Sequence, residues 1–168
     1  EEIEFLPRGR EDLDAVVAFT SALEAKALVP ALQFHFADEL PVFATSQSAR
    51  SGRLSEIAGF HVTELPLLTD PDPVAAGMTA AFDLREQPLL ELFALGLDAY
   101  RLATWVHWIQ THKEHFDEQF RLRLNMASGE LTLGREGLVA RELTMAEISS
   151  RGTLMLSQDT GSSLTETN

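Results

Sequence analysis

The fold is decided by two short apolar stretches, Ala15-Val16-Val17-Ala18-Phe19 and Val42-Phe43-Ala44-Thr45. The first is rich in small and β-branched residues, which is typical of a strand covered on both faces. Between the two stretches, Ser21 and Glu24 have the spacing of a capping box, and a helical pattern follows that Pro30 should kink or interrupt. Two strands joined by a helix form a βαβ unit, in which the strands are parallel. The sequence therefore predicts an α/β fold.

A Pro-rich crossing is the best internal boundary of the chain. A third strand is predicted over residues 60–65, and Pro66, Pro71 and Pro73 then interrupt regular structure. A helix is expected to begin near Val74, because prolines are well tolerated at the first turn of a helix.

The second half of the chain contains the longest predicted helix and a predicted hairpin. The helix covers residues 88–115, and its apolar residues occupy most of the circumference, which indicates burial on several sides. The hairpin consists of residues 130–133 and 138–141 around Gly134-Arg135-Glu136-Gly137. Residues 151–168 are expected to be a flexible tail, because they offer little to bury.

Composition and charge exclude several classes of protein. The 168 residues are 45% hydrophobic and 23% charged, which is typical of a globular chain. The net charge of −13 argues against binding a nucleic-acid backbone or an anionic lipid surface. The absence of cysteine excludes disulfides, zinc–thiolate sites and a thiol nucleophile. We therefore expect no nucleic-acid partner, and no apolar run reaches the length of a membrane span.

Motifs that carry catalysis are also absent from the sequence. It contains no nucleophile elbow, phosphate-binding loop or dinucleotide fingerprint. His112 and His115 share a helix face, but a third metal ligand and the usual His-Glu-x-x-His arrangement are missing. Acidic pairs such as Asp70 with Asp72 arise by chance among 26 acids. We therefore expect no catalytic residue, no metal and no cofactor.

Polar residues follow the second predicted strand, where Thr45-Ser46-Gln47 leaves the sheet. In open α/β sheets ligands bind outside the carboxyl ends of the strands. These three side chains are therefore candidates for lining a ligand cleft, and a simple polar loop is the alternative.

Asp98 lies within the apolar pattern of the long helix. A buried carboxylate needs partners. Arg101 or a neighbouring loop are the two candidates for that partner, and a structural role for Asp98 is favoured over a catalytic one.

Four stretches of the chain carry a family resemblance. The chain resembles the C-terminal domain of the penicillin-binding-protein activator lipoproteins of Gram-negative bacteria, the LppC family. The stretches occur in family order and are Arg10-Glu11-Asp12-Leu13-Asp14-Ala15-Val16, Leu40-Pro41-Val42-Phe43-Ala44-Thr45-Ser46, Leu92-Phe93-Ala94-Leu95-Gly96-Leu97-Asp98-Ala99-Tyr100-Arg101-Leu102, and Ser128-Gly129-Glu130-Leu131-Thr132-Leu133 with Arg141. Three positions depart from the family pattern: Glu91 stands where a basic residue is common, Ser128 stands for Thr, and Met145 stands for Trp.

The resemblance implies a fold similar to type I periplasmic binding proteins, with open, mostly parallel sheets and flanking helices in two lobes. Residues 1–66 would be the later half of one lobe. Residues 67–150 would return to the other lobe, and the segment near Thr144 would cross back. The fragment would need upstream sequence, or a swapped copy of itself, to cover its apolar faces.

The resemblance also implies a function. Family members look like outer-membrane lipoproteins, anchored by an upstream lipid absent from this chain, that reach through the periplasm and activate a class A penicillin-binding protein in peptidoglycan synthesis. They are not enzymes. A solute-binding component of an importer or sensor, with an amino acid or peptide as ligand, is the alternative, because fold alone does not separate the two functions. A third hypothesis, an acid/base hydrolase, rests only on carboxylate pairs that arise by chance and is much weaker than the other two.

Overall fold

The computed structural model describes residues 12–50, 53–82 and 89–156. The described strands form two sheets. Sheet A consists of β1 (Val16–Ala18), β2 (Val42–Ala44), β3 (Phe60–Glu64), β7 (Thr144–Ile148) and β8 (Leu154–Leu156), which lie side by side in that order. Sheet B consists of β4 (Arg121–Asn125), β5 (Glu130–Gly134) and β6 (Val139–Glu142), again in that order.

The βαβ unit is present as predicted. β1 pairs with β2 and β2 with β3, both in parallel, and α1 (Ala22–Phe34) connects the first two strands. The Ser21 side chain accepts from the Glu24 N–H, and the Glu24 carboxylate accepts from the Ser21 N–H at 2.8 Å, which completes the capping box. Pro30 lies inside α1, and the helix continues for one further turn.

The chain returns to sheet A near its end. β7 pairs antiparallel with β3, with Thr144 opposite Glu64, and β8 pairs antiparallel with β7. Ala146 and Ile148 are buried on one face of the sheet, which holds this strand against the core. The segment near Thr144, which the resemblance expects to cross back, is where β7 begins, and residues 144–148 lie in sheet A. The segment expected to be a flexible tail from residue 151 includes β8, and residues 157–168 lie outside the described residues.

The helices of the second half are α2 (Pro66–Thr69), α3 (Pro73–Phe82) and α4 (Leu90–Thr111). One stripe of α4 is buried, namely Leu90, Ala94, Asp98, Leu102 and Ile109. The C-terminal part of this stripe, Leu102 and Ile109, packs against the apolar face of sheet B, which includes Leu131 and Leu133. Burial on several sides was predicted for this helix, but Tyr100 is 82% exposed, because the described residues cover only one face of α4.

The mixed α/β fold predicted from the sequence is confirmed. Among the described strands, parallel pairing joins only β1, β2 and β3, and those of sheet B are wholly antiparallel. A core of Ala25, Val42, Phe60 and Val62 fills the space between α1 and one face of sheet A. The other face is open at its edge, since Val17 on β1 is 65% exposed. The described residues therefore cover β1 on one side only.

Candidate functional site

The carboxyl edge of the parallel strands carries the predicted cleft residues. Thr45 directly follows β2, and Ser46 and Gln47 begin a 3₁₀ turn over Ser46–Ala49. Thr45 and Ser46 are half-buried, and Gln47 is exposed. The three residues are adjacent at the strand ends, which is the placement that a ligand cleft requires.

Ser48, rather than the three candidates, is the buried polar residue of this turn. Its hydroxyl donates to the Thr20 carbonyl at 2.9 Å and lies 2.9 Å from the Thr20 hydroxyl. These bonds tie the end of β1 to the turn after β2. The polar groups at this edge therefore satisfy each other at Ser48 and Thr20, and the neighbouring side chains of Thr45 and Ser46 line the surface beside them.

An ion cluster lies where the chain leaves β3. Glu64 is 3% exposed, and its Oε1 lies 3.4 Å from Arg50 Nη2. The same nitrogen lies 2.7 Å from Oε1 of Glu91 in the first turn of α4. Burial raises the pKa of the Glu64 carboxyl, against the smaller lowering effects of the Leu65 N–H, which donates at 3.0 Å, and of Arg50. This cluster joins the end of sheet A to the start of α4.

Asp98 connects α4 to the turn between β4 and β5. Its carboxylate is 2% exposed and accepts from the backbone N–H of Ala127 at 2.9 Å and of Ser128 at 2.6 Å. Of the two partners considered for Asp98, the loop is therefore the one in contact. Because Asp98 is buried, its carboxylate is not available at the surface. Its role in the structure is to hold the turn between β4 and β5.

Arg101 contacts a different carboxylate. Its guanidinium donates to both oxygens of Asp72, at 2.6 and 3.2 Å. Asp72 also accepts from the N–H groups of Val74 and Ala75 and so caps α3. The hydrogen bonds from Arg101, followed by that from Ala75, lower the pKa of Asp72 to about 2. One carboxylate thus joins the Pro-rich crossing to the middle of α4.

A cavity of about 450 Å³ opens at this crossing. Pro66, Pro71, Asp72, Met126, Glu130 and Thr144 are among its lining residues. Both passages of the chain between the two sheets therefore border it, because β3 leads into Pro66 and β7 begins at Thr144. The predicted cleft residues Thr45, Ser46 and Gln47 do not line this cavity.

The exposed side of α4 is unusually apolar. Leu92 and Tyr100 are largely exposed, and Trp105 and Trp108 are exposed by 42% and 45%. The two tryptophan rings meet edge to face, with centroids 6.4 Å apart. Exposed aromatic residues on one helix are typical of a surface that another polypeptide covers.

The histidines near the end of α4 do not form a metal site with the residues described. His112 and His115 have ring centroids 6.0 Å apart, and Nδ1 of His112 lies 2.9 Å from the carbonyl of Trp108. Within residues 12–50, 53–82 and 89–156, no three His, Asp or Glu side chains are grouped so that they could hold a metal ion. In the same ranges no helix is long and apolar enough to cross a membrane.

These features define a class of protein, an α/β chain with the fold of periplasmic binding proteins. The structure is similar to the LpoA C-domain of Haemophilus influenzae, which is described as a regulator of PBP1A, with a TM-score of 0.64 and 17% identity over 89% of this chain and 46% of that one. It is also similar to a putative branched-chain amino acid ABC transporter protein from Chromobacterium violaceum, with a TM-score of 0.56 and 29% identity over 80% of this chain and 42% of that one.

The chain belongs to the LppC putative lipoprotein family, whose model matches residues 1–150. The resemblance stated from the sequence is therefore confirmed. The chain's relatives include proteins named penicillin-binding protein activator LpoA. That of Vibrio antiquarius is 33% identical over 105 residues, 60% of this chain and 17% of the relative. That of Aliivibrio fischeri is 27% identical over 151 residues, 86% of this chain and 24% of the relative. The chain thus spans at most about a quarter of the length of these relatives.

Sequence reasoning missed the cluster of Arg50, Glu64 and Glu91. A signal was present, because Glu64 continues the period-two series of Phe60 and Val62, whose side chains face the core. A carboxylate at such a position needs a cation nearby. Arg50 was the available cation, but only the structure brings the two residues together.

Proposed function

We propose that this chain is the C-terminal part of a non-catalytic activator that binds a class A penicillin-binding protein and promotes peptidoglycan synthesis. The observation that carries the proposal is the family match over residues 1–150, together with relatives named as activators of penicillin-binding proteins. The full-length protein would be a lipoprotein on the periplasmic face of the outer membrane, held there by an anchor upstream of these residues.

Activation in this proposal is a coupling free energy between two proteins. The activator binds one conformation of the synthase more tightly than another and thereby increases the population of the favoured conformation. No residue of the activator needs to touch the reacting atoms. Such a role suits a chain in which the buried carboxylates Glu64 and Asp98, and the partly exposed Asp72, are all engaged with partners inside the fold.

The test is a reconstitution with purified full-length protein and its cognate class A synthase. We expect the activator to increase the fraction of cross-linked peptide formed from lipid-linked precursor, in proportion to complex formation. The same titration with a class A synthase from an unrelated bacterium is the control. Binding without any change in cross-linking or glycan polymerisation would contradict the proposal.

A solute-binding role is the second candidate, and the similarity to the putative amino acid transporter protein favours it. In this alternative, Thr45, Ser46 and Gln47 at the carboxyl edge would contact an amino acid or peptide. Calorimetry with leucine, isoleucine, valine and short peptides tests it. Tight binding that Thr45→Val weakens, with no effect of the protein on the synthase, would favour this candidate over the first.

We also propose that the open apolar surfaces of this chain are covered in the full-length protein by its remaining sequence. Phe19, which directly follows β1, and Leu23, in the first turn of α1, are 83% and 79% exposed, and β1 is at the edge of sheet A as described. An exposed edge strand with apolar neighbours tends to associate with another chain. The 168-residue chain should therefore self-associate at micromolar concentration, whereas the full-length protein should remain monomeric in light scattering. A monomeric fragment would contradict this.

A further inference from the structure

Arg50 occupies a position that no other charged residue of the described chain shares. It follows the 3₁₀ turn after β2, yet its Nη2 contacts carboxylates from two other elements, Glu64 at the end of β3 and Glu91 at the start of α4. One guanidinium nitrogen therefore links sheet A to the helix that carries the exposed aromatic surface. The linkage depends on Glu91, which lies in the first turn of α4.

The environment of Glu64 makes this linkage sensitive to its charge. An ionised carboxylate that is 3% exposed is costly unless it is paired. Among described residues, the charged side chains that act on it are Arg50, which favours its ionised form, and Glu91, which opposes it. The residue opposite on β7 is Thr144, which carries no charge, and α2 contributes only the N–H of Leu65 at its start. His61 is three residues earlier on β3 and so points to the opposite face of the sheet.

The Arg50 side chain has little else to hold it in place. Its Nε is buried and has no hydrogen-bond partner among the described residues. The position of the guanidinium therefore depends on the two carboxylates. Glu64 holds it at the end of sheet A, and Glu91, which is 35% exposed in its side chain, brings α4 to it.

We propose that Arg50, Glu64 and Glu91 form a protonation-controlled latch that sets the orientation of α4 relative to sheet A. When Glu64 is ionised, its carboxylate holds the guanidinium at the sheet, and Glu91 fixes the start of α4 against it. When Glu64 takes up a proton from solvent, Arg50 remains paired with Glu91 alone. The ionic link between sheet A and the start of α4 is then reduced to one long and flexible side chain, while the buried cluster that Leu90 and Ala94 form with Leu65 and Leu67 remains. This device is independent of which partner the α4 surface meets.

The experiment measures the distance between sheet A and α4 directly. Spin labels are attached to Ala31→Cys on α1 and Thr104→Cys on α4, which are both exposed, in the full-length protein with any other cysteine replaced by Ser. Double electron–electron resonance then measures the distribution of distances between the two labels at a series of pH values. The series runs from about pH 8 to about pH 4.5, which is close to the ordinary pKa of a glutamate. At the highest pH we expect a single narrow distribution of label distances. As the pH falls, a second and broader distribution should grow.

Three variants separate the latch from a merely structural role. Glu64→Gln keeps the size of the side chain and should show the broad population at every pH. Glu91→Gln should also show the broad population at every pH, because it removes the carboxylate on α4 that pairs with Arg50. Glu147→Gln alters an exposed carboxylate of sheet A outside the cluster and should keep the pH response of the unmodified protein. A distance distribution that does not change with pH in the unmodified protein, or that remains narrow in Glu64→Gln and Glu91→Gln, would overturn the proposal.

Discussion

The carboxylate of Asp98 in α4 accepts a hydrogen bond of 2.6 Å from the backbone N–H of Ser128, thirty residues later in the chain. A second bond comes from the N–H of Ala127. Both donors are buried in the turn that starts the hairpin of sheet B, and a buried N–H without an acceptor is costly. The helix therefore supplies the acceptors that the turn lacks, and Asp98 adds a polar link to the apolar packing of α4 on sheet B.

Replacing Asp98 tests this dependence. Asp98→Leu leaves the N–H groups of Ala127 and Ser128 buried without acceptors, and we expect the free energy of unfolding to fall by about 3 kcal/mol. Urea denaturation followed by circular dichroism measures the change. Ala99→Leu, at the next and exposed position, is the control and should change stability by less than about 0.5 kcal/mol. Equal stability of the two variants would refute the role of Asp98.

Two glycines should respond oppositely to the same substitution. A Cβ at Gly129 would lie against the backbone oxygen of Glu142 and 2.9 Å from Cγ of Arg141, whereas a Cβ at Gly96 in α4 meets nothing within 4 Å. Gly129→Ala should therefore force β5 and β6 apart and cost about 2 kcal/mol or more. Gly96→Ala should stabilise the helix by about 0.5–1 kcal/mol. Thermal denaturation of both variants checks the prediction, which fails if their midpoints shift in the same direction.

The pair of Asp72 and Arg101 should make a modest contribution to stability. The lowered pKa of Asp72 means that this contribution is present above its ordinary value of 3.8 and is lost as the pH falls through about 2. Because the Asp72 side chain is 39% exposed, solvent weakens the pair, and Asp72→Asn should cost only about 1 kcal/mol at neutral pH. Asp72→Ala should cost more, since it also removes the cap of α3. Asp70→Asn is the matched control, and a loss as large there would argue against the ion pair.

The stability conferred by Glu64 should depend on pH with the opposite sign. Burial raises the pKa of Glu64 above its ordinary value of 4.5, so the folded chain takes up this proton more readily than the unfolded chain. The contribution of Glu64 is therefore complete below about 4.5 and is lost as the pH rises through the raised pKa. Compared with Glu64→Gln, the unmodified protein should lose relative stability from acid to neutral pH, as measured by urea denaturation. A gain over that range would show that the attraction of Arg50 outweighs the cost of burial.

Local patterns predicted the first half of the fold well. The capping box at Ser21 and Glu24 and the short apolar strands are decided by neighbours in sequence, and the structure has them where the patterns indicate. The hairpin of β5 and β6 also follows from its own turn residues. In contrast, β8 was assigned to the tail, because three residues paired with β7 leave no periodic signal of their own.

The contacts of the candidate site were less predictable, because each joins residues that are distant in sequence. A partner for Asp98 was required by its apolar surroundings, but nothing in the sequence selects the turn at Ala127 over Arg101. Arg101 lies three residues along the same helix, where an ion pair is common. It instead contacts Asp72, because the Pro-rich crossing brings that carboxylate to the side of α4. Sequence chemistry indicates which groups need a partner, and the path of the chain decides which partner they find.

The place of β7 between β3 and β8 has a consequence for the order of assembly during synthesis. Because β3 obtains its second neighbour only from residues 144–148, a ribosome must complete α4 and all of sheet B before the nascent β3 is flanked on both sides. Pairing of distant strands is slow, so the unfinished sheet offers a free edge to chaperones or to other nascent chains for much of translation. A stop codon placed just ahead of Thr144 would make that transient state permanent.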